Sequence, residues 1–162
     1  MTRWYRTPEL LLGTRNYNES VDTFAAGLVA LEVLAGAPLV PGDTEARQLD
    51  LLTRVLGGPE ADDDSPNPRS LKDWEAGSAT FTEMARRRHR RLLKAVLQQK
   101  PRLLANLALQ LSPKDACLAP LLVETFIDLV ARLVAWDPKK RLTAAEARTH
   151  VFFLETMSVE WV

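Results

Sequence analysis

Met1-Thr2-Arg3-Trp4-Tyr5-Arg6-Thr7-Pro8-Glu9, followed by Leu10-Leu11-Leu12-Gly13, opens the chain. Thr7-Pro8 reads as a helix entry, with Thr at the N-cap and Pro at the first helical position, where a missing N–H costs nothing. The short helix this predicts runs through Leu12 and stops at Gly13. After a polar loop at 14–20, residues 21–35 are apolar on most sides, with Gly27 the sole Gly or Pro among them. A helix that is apolar nearly all round belongs inside a domain. Gly36 and Pro38 end it.

Working outward, Pro38-Leu39-Val40-Pro41-Gly42-Asp43-Thr44-Glu45 is a turn in which Asp43 or Thr44 can cap the next helix. Leu49, Leu52, Val55 and Leu56 follow at three- and four-residue spacing and predict one apolar face, closed by Gly57-Gly58-Pro59. The stretch Asp62-Asp63-Asp64-Ser65-Pro66-Asn67-Pro68 is polar and Pro-broken, which reads as an exposed loop. Two helices are predicted beyond it, at 82–99 and 102–111, separated by Pro101. Leu122, Phe126, Leu129, Val130, Leu133 and Val134 then hold helical spacing, and Thr143 with Glu146 makes a capping box for a further helix.

Composition narrows the classes of function. The 162 residues suit one domain with a contiguous core, and large multidomain readings are excluded. Lys+Arg and Asp+Glu both number 21, so no global field draws the chain to nucleic acid or to an anionic membrane. Neither kind of partner is expected. The lone Cys117 excludes an internal disulfide and fits a reducing compartment, and no apolar run is long enough to span a bilayer. The expected setting is intracellular, nuclear or cytoplasmic. His89 and His150 are the only histidines, and no Ser/His/Asp, Cys/His or metal-spaced set occurs. The run Arg86-Arg87-Arg88-His89-Arg90-Arg91, with Lys94 beyond, is the one local charge excess. It suits a nuclear-import signal, a phosphate-binding patch, a docking surface or a solvated helix face. The solvated face is favoured, because no aromatic residues interleave to stack on bases. Trp74 and Trp161 read as packing anchors.

Several of these stretches resemble eukaryotic protein kinases of the branch containing the cyclin-dependent and mitogen-activated kinases. The opening resembles the end of the activation segment, T-R-W-Y-R-A-P-E-L-L-L-G, with Thr7 where Ala is usual. Residues 20–27 resemble the V-D-x-W-S-x-G start of the central helix of the C-terminal lobe, with Phe24 and Ala25 for Trp and Ser. The turn at 38–45 resembles L-F-P-G-x-S-E, and Leu56-Gly57-Gly58-Pro59 resembles L-G-T-P. Trp136-Asp137-Pro138-Lys139-Lys140-Arg141-Leu142-Thr143-Ala144 resembles D-P-x-K-R-x-(T/S)-A, and His150-Val151-Phe152-Phe153 resembles H-P-F-F. The Pro41-Gly42 turn leans toward the cyclin-dependent side and Thr2-Arg3-Trp4 toward the mitogen-activated side. The resemblance implies a mainly α architecture: one partial kinase domain over 1–162, taken from the end of the activation segment onward. Its helices would bundle around a buried central helix, with the branch's helical insertion at about 60–119.

Residue roles follow from the same resemblance. It implies a buried ion pair between Glu9 and Arg141, suited to a guanidinium that holds a carboxylate through two parallel hydrogen bonds. It makes Thr2, Arg3 and Arg6 the substrate-facing candidates, for a peptide with Pro after the phosphoacceptor. Asp22 is given a structural role, bonding the catalytic-loop backbone in the family, beside the simpler reading that it favours the N-terminal end of its own helix. The resemblance implies ATP and magnesium for the complete kinase and neither for this chain. Within 1–162 there is no Gly-rich phosphate loop, strand Lys, catalytic-loop Asp and Asn, or D-F-G. His89-Arg90-Arg91-Leu92 is not a degraded H-R-D-L, because it follows Pro8-Glu9 and Arg91 can serve neither as base nor as metal ligand. The expected function is the substrate-binding portion of a proline-directed serine/threonine kinase, inactive by itself, with a cyclin or scaffold as possible partner. The alternative is a non-catalytic interaction module. Apolar surface is expected beside Val21, Phe24 and Leu28, and with it self-association.

Overall fold

The computed structural model describes residues 3–56, 115 and 118–156. Thr2, Asp62-Asp63-Asp64, Trp74, Cys117, Trp161, the basic run at 86–94 and the helices expected at 82–99 and 102–111 lie outside these residues. Every regular element among the described residues is helical. In chain order they are a 3-10 turn Arg3–Tyr5, α1 Pro8–Leu11, α2 Ser20–Ala35, α3 Glu45–Leu56, α4 Ala119–Leu133, a 3-10 turn Pro138–Lys140, α5 Ala144–Arg148 and α6 Val151–Thr156.

The core lies among α2, α3 and α4. Phe24, Leu28 and Leu31 of α2 share it with Leu49 and Leu52 of α3, with Ile127 and Val130 of α4, and with Val134 just beyond. Leu11 of α1 and Val40 complete it. Gly27 sets the approach of α2 to the end of α4: a Cβ there would stand 2.7 Å from Val134 Cγ1 and 3.0 Å from Leu133 Cβ. Hydrogen of glycine is the only substituent that fits at this packing distance.

α2 is central, but it is not buried all round. Val21, Phe24 and Leu28 are themselves buried. The open stripe runs along the other side, through Asp22, Ala26, Val29 and Val33, with Val29 45 % and Val33 76 % exposed. Residues at this three- and four-residue spacing share a face. α4 covers one face of α2 and leaves this one to solvent.

Local signals set the ends of the helices. Thr44 Oγ1 accepts from the Arg47 N–H at 3.1 Å and caps α3. Thr143 and Glu146 form the reciprocal capping box of α5. Thr7 occupies the N-cap position of α1, but makes no side-chain cap bond there. Its residue is fully buried, and its hydroxyl has no hydrogen-bond partner among the described residues.

Candidate functional site

The centre of the site is Arg141, which follows the Pro138–Lys140 turn with an extended backbone. That conformation sends its guanidinium inward, where the side chain is 0 % exposed and faces Glu9 at 3 %. Nη1 donates to Glu9 Oε1 at 2.6 Å and Nη2 to Oε2 at 2.7 Å, a two-pronged pairing between residues 132 positions apart. Nε donates to the Ala135 carbonyl at 2.8 Å, Nη1 also to Ser20 O at 3.3 Å, and Nη2 to Trp136 O at 3.2 Å. All five guanidinium N–H groups therefore have acceptors. The Phe24 ring lies 4.8 Å from the Arg141 Cζ and presents its face to the charge. One side chain thus joins α1, the start of α2 and the segment after α4.

Glu9 in turn anchors the segment that precedes it. The Arg3–Tyr5 turn lies against the start of α3 and against α2. Tyr5 donates its phenolic hydrogen to Glu32 of α2, and this bond, with burial and the Glu32 charge, raises the phenol above its ordinary value of 10.0. Arg3 Nη1 donates to the Asp43 carbonyl. Arg6 Nη1 pairs with Glu45 Oε1 at 3.0 Å, with both side chains open to water at 35 % and 54 %. Between them, Gln48 Nε2 donates to the Trp4 carbonyl at 2.8 Å.

The structure brings Glu9 and Arg141 together and holds Arg3 and Arg6 side by side along one turn. Arg3 is engaged with the turn before α3 and Arg6 with the first residue of that helix, so a ligand of Arg6 would exchange for an exposed carboxylate. Asp22 stands apart from this group: it is exposed in the first turn of α2, and its carboxylate makes no hydrogen bond or ion pair among the described residues. In that first turn of α2 a negative charge faces the positive end of the helix. Gln48 escaped sequence reasoning. Its signal was a polar residue four positions before Leu52, inside the apolar face of α3.

A second polar cluster lies between α4 and α6. His150 Nδ1 accepts from the Phe152 N–H at 3.2 Å, so the ring proton sits on Nε2 and is donated to Asp128 Oδ2 at 2.9 Å. Arg132 Nε reaches the same oxygen at 2.9 Å. Burial pushes the Asp128 carboxyl up, but the His150 and Arg132 bonds outweigh it and hold the group below 3.8. This is a helix cap with a tether.

Among the described residues no three His, Cys, Asp or Glu are grouped to hold a metal ion. The described residues therefore offer no donor set that fits a magnesium–nucleotide site. None of the described helices is long and apolar enough to cross a membrane.

The sequence model described as the protein kinase domain matches residues 1–153. Mitogen-activated protein kinase 10 of Oryza sativa subsp. japonica is 34 % identical over 160 residues, covering 98 % of this chain and 22 % of that protein. Cyclin-dependent kinase G-1 of Oryza sativa subsp. indica is 33 % identical over 155 residues, covering 96 % of this chain and 19 % of the relative. Extracellular signal-regulated kinase 2 of Dictyostelium discoideum is 32 % identical over 151 residues, covering 93 % and 33 %. The chain spans between 19 % and 33 % of the length of these relatives. With relatives from both sides of one branch and a family match over nearly its whole length, the chain belongs to the protein kinase domain family, in the branch of the cyclin-dependent and mitogen-activated kinases.

Proposed function

We propose that this chain is the substrate-binding, C-terminal-lobe portion of a proline-directed serine/threonine protein kinase. The complete domain would transfer phosphate from magnesium ATP to Ser or Thr of a protein followed by Pro. The observation that carries this reading is the buried Glu9–Arg141 fork, which ties the segment bearing Arg3 and Arg6 to the helical body while Trp4 and Arg6 stay open to solvent. Thr2, Arg3 and Arg6 are the residues proposed to face the peptide. Proline lacks an N–H, so a surface that offers the following residue no acceptor favours it over other residues. A cyclin is the proposed partner of the complete kinase, by likeness to relatives whose names carry cyclin dependence.

The purified chain is expected to bind a fluorescein-labelled peptide containing Ser-Pro several-fold more tightly than its Ser-Ala counterpart in fluorescence anisotropy. Equal affinities, or none, would sink the reading. A coupled assay is expected to show no ATP turnover by residues 1–162, which hold none of the phosphate-binding motifs; reproducible turnover would defeat that expectation.

The alternative, a non-catalytic interaction module, draws on the exposed Val29 and Val33 stripe of α2. A chain blind to both peptides would leave that stripe as the working surface.

A further inference from the structure

His150 is buried where α5 gives way to α6, and it caps α6 with both its backbone and its ring. Its carbonyl accepts from the Phe153 N–H at 3.0 Å and from the Leu154 N–H at 3.4 Å, while ring Nδ1 accepts from the Phe152 N–H at 3.2 Å. The other ring nitrogen, Nε2, donates to Asp128 Oδ2 at 2.9 Å. The imidazole is thus held in one neutral form, with its acceptor facing the helix and its donor facing α4. Helices are usually capped by Ser, Thr, Asp or Asn, whose oxygens remain acceptors near neutral pH. A histidine cap differs, because a second proton turns Nδ1 into a donor aimed at another donor.

The surrounding charges decide which contact of the ring yields. On α4, Arg132 Nε reaches the same Asp128 oxygen at 2.9 Å, and Glu124, a turn earlier, is exposed. On α5, Glu146 is bonded to the Thr143 N–H and hydroxyl, and Arg148 is exposed. Glu155 belongs to the last turn of α6. Among the described residues Asp128 is therefore the anion bonded to the ring, and, lying below 3.8, it stays ionised wherever histidine titrates. A charged ring keeps that bond and strengthens it. It loses the cap, and a cation at the start of a helix is also opposed by the helix amides.

We propose that His150 is an acid-operated latch on α6: the neutral ring caps the helix, and the protonated ring stays on Asp128 but lets go of the Phe152 N–H. The first turn of α6 is then free to move, and with it the Phe152 ring, which stands edge-on to Phe126 at 5.2 Å between centroids. Its release adds to an apolar patch already open at Phe153 and Leu154. Capped and released states share the tether to Asp128 and differ in what Nδ1 faces, so the released state takes up the second proton more readily. Release therefore grows as pH falls through the histidine range and reverses as it rises. The latch is independent of the proposed peptide site.

The test is amide exchange of the nitrogen-15-labelled full chain at about pH 8 and about pH 5.5, which bracket histidine titration, with each rate divided by its intrinsic rate at that pH. Phe152 is expected to lose protection about fivefold at the lower pH, as for a lost cap, while Val134, bonded to the Val130 carbonyl at the end of α4, keeps its own. His150→Asn supplies a cap acceptor that does not titrate and is expected to hold Phe152 protection level. Asp128→Asn leaves the ring in place and is expected to retain the loss with its midpoint at lower pH. An unchanged wild type, an equal loss in His150→Asn, or a parallel loss at Val134 would overturn the proposal. So would abolition of the effect in Asp128→Asn, which would make the carboxylate the sensor. A long-range imidazole spectrum at the higher pH is expected to show the Nε2–H tautomer, and an Nδ1–H ring would equally refute the latch. Should His150→Asn fail to fold, Asp128→Asn and the tautomer decide.

Discussion

At the residue scale, the Glu9–Arg141 fork is the interaction with the largest consequence. Both side chains are out of water, so removing one leaves the other charged and unpaired. Glu9→Ala or Arg141→Ala is expected to destabilise the chain by about 3–5 kcal/mol in urea unfolding, against at most about 1 kcal/mol for Arg6→Ala in the exposed Arg6–Glu45 pair. Arg141→Lys should fall near the alanine variant, because an ammonium cannot serve five acceptors spread over a plane. Thr7 works in the opposite direction. Its buried hydroxyl has no partner among the described residues, so Thr7→Val, which keeps the shape and removes the polar atom, is expected to raise stability by about 1 kcal/mol. A loss on that substitution would mean that the hydroxyl is satisfied in solution.

At the element scale, the crossing of α2 and α4 depends on one missing methyl group. Gly27→Ala places a Cβ 2.7 Å from Val134 Cγ1, and the resulting shift should cost about 1–3 kcal/mol despite alanine's better helix propensity. Thermal unfolding of that variant separates the two effects: a raised Tm would show that α4 moves aside freely. The short helices α5 and α6 depend on side-chain caps and therefore on pH. Glu146 is held below its ordinary value of 4.5 by the Thr143 backbone N–H and hydroxyl, and Asp128 lies below 3.8. A carboxyl depressed in the folded state contributes stability above its unfolded value and loses it as pH falls through the folded one. Urea midpoints are therefore expected to drop between about pH 5 and pH 3, with a shallower drop in Asp128→Asn. An equal drop would place the acid sensitivity elsewhere. Tyr5 has the reverse sign: its raised phenol stabilises below pH 10.0 and loses that contribution as the solution becomes more alkaline.

For the whole molecule, the open side of α2 decides behaviour in solution. Val29 and Val33 form a continuous apolar strip with Ala26 on a helix whose other face carries the core. Such a strip favours contact with another apolar surface. Sedimentation of the wild-type chain is expected to depend on concentration, and Val29→Ser with Val33→Ser is expected to abolish that dependence. Retention of association by the double variant would assign it to another surface.

Motif order, helix periodicity and capping residues were legible from the chain alone, because they depend on neighbours a few positions apart. Thr143 and Glu146 are three positions apart, and their box follows from local geometry. The Glu9–Arg141 pairing spans 132 positions and was readable only through family resemblance, since nothing local couples those two charges. Three features needed the fold itself. Residues 21–35 look apolar nearly all round, and only the placement of α4 determines which stripe of α2 is covered and which is open. The Thr7 hydroxyl has a capping residue's sequence context, yet it is buried without a bond among the described residues. Gln48 looks like a polar interruption of an apolar face until the Trp4 carbonyl and the Gly42 amide are brought to its two ends. Sequence by itself determined the elements and the family, through short-range periodicity and motif order. Tertiary structure decided which polar groups are satisfied and which apolar faces stay open, because both depend on partners that only packing brings within hydrogen-bond or van der Waals distance.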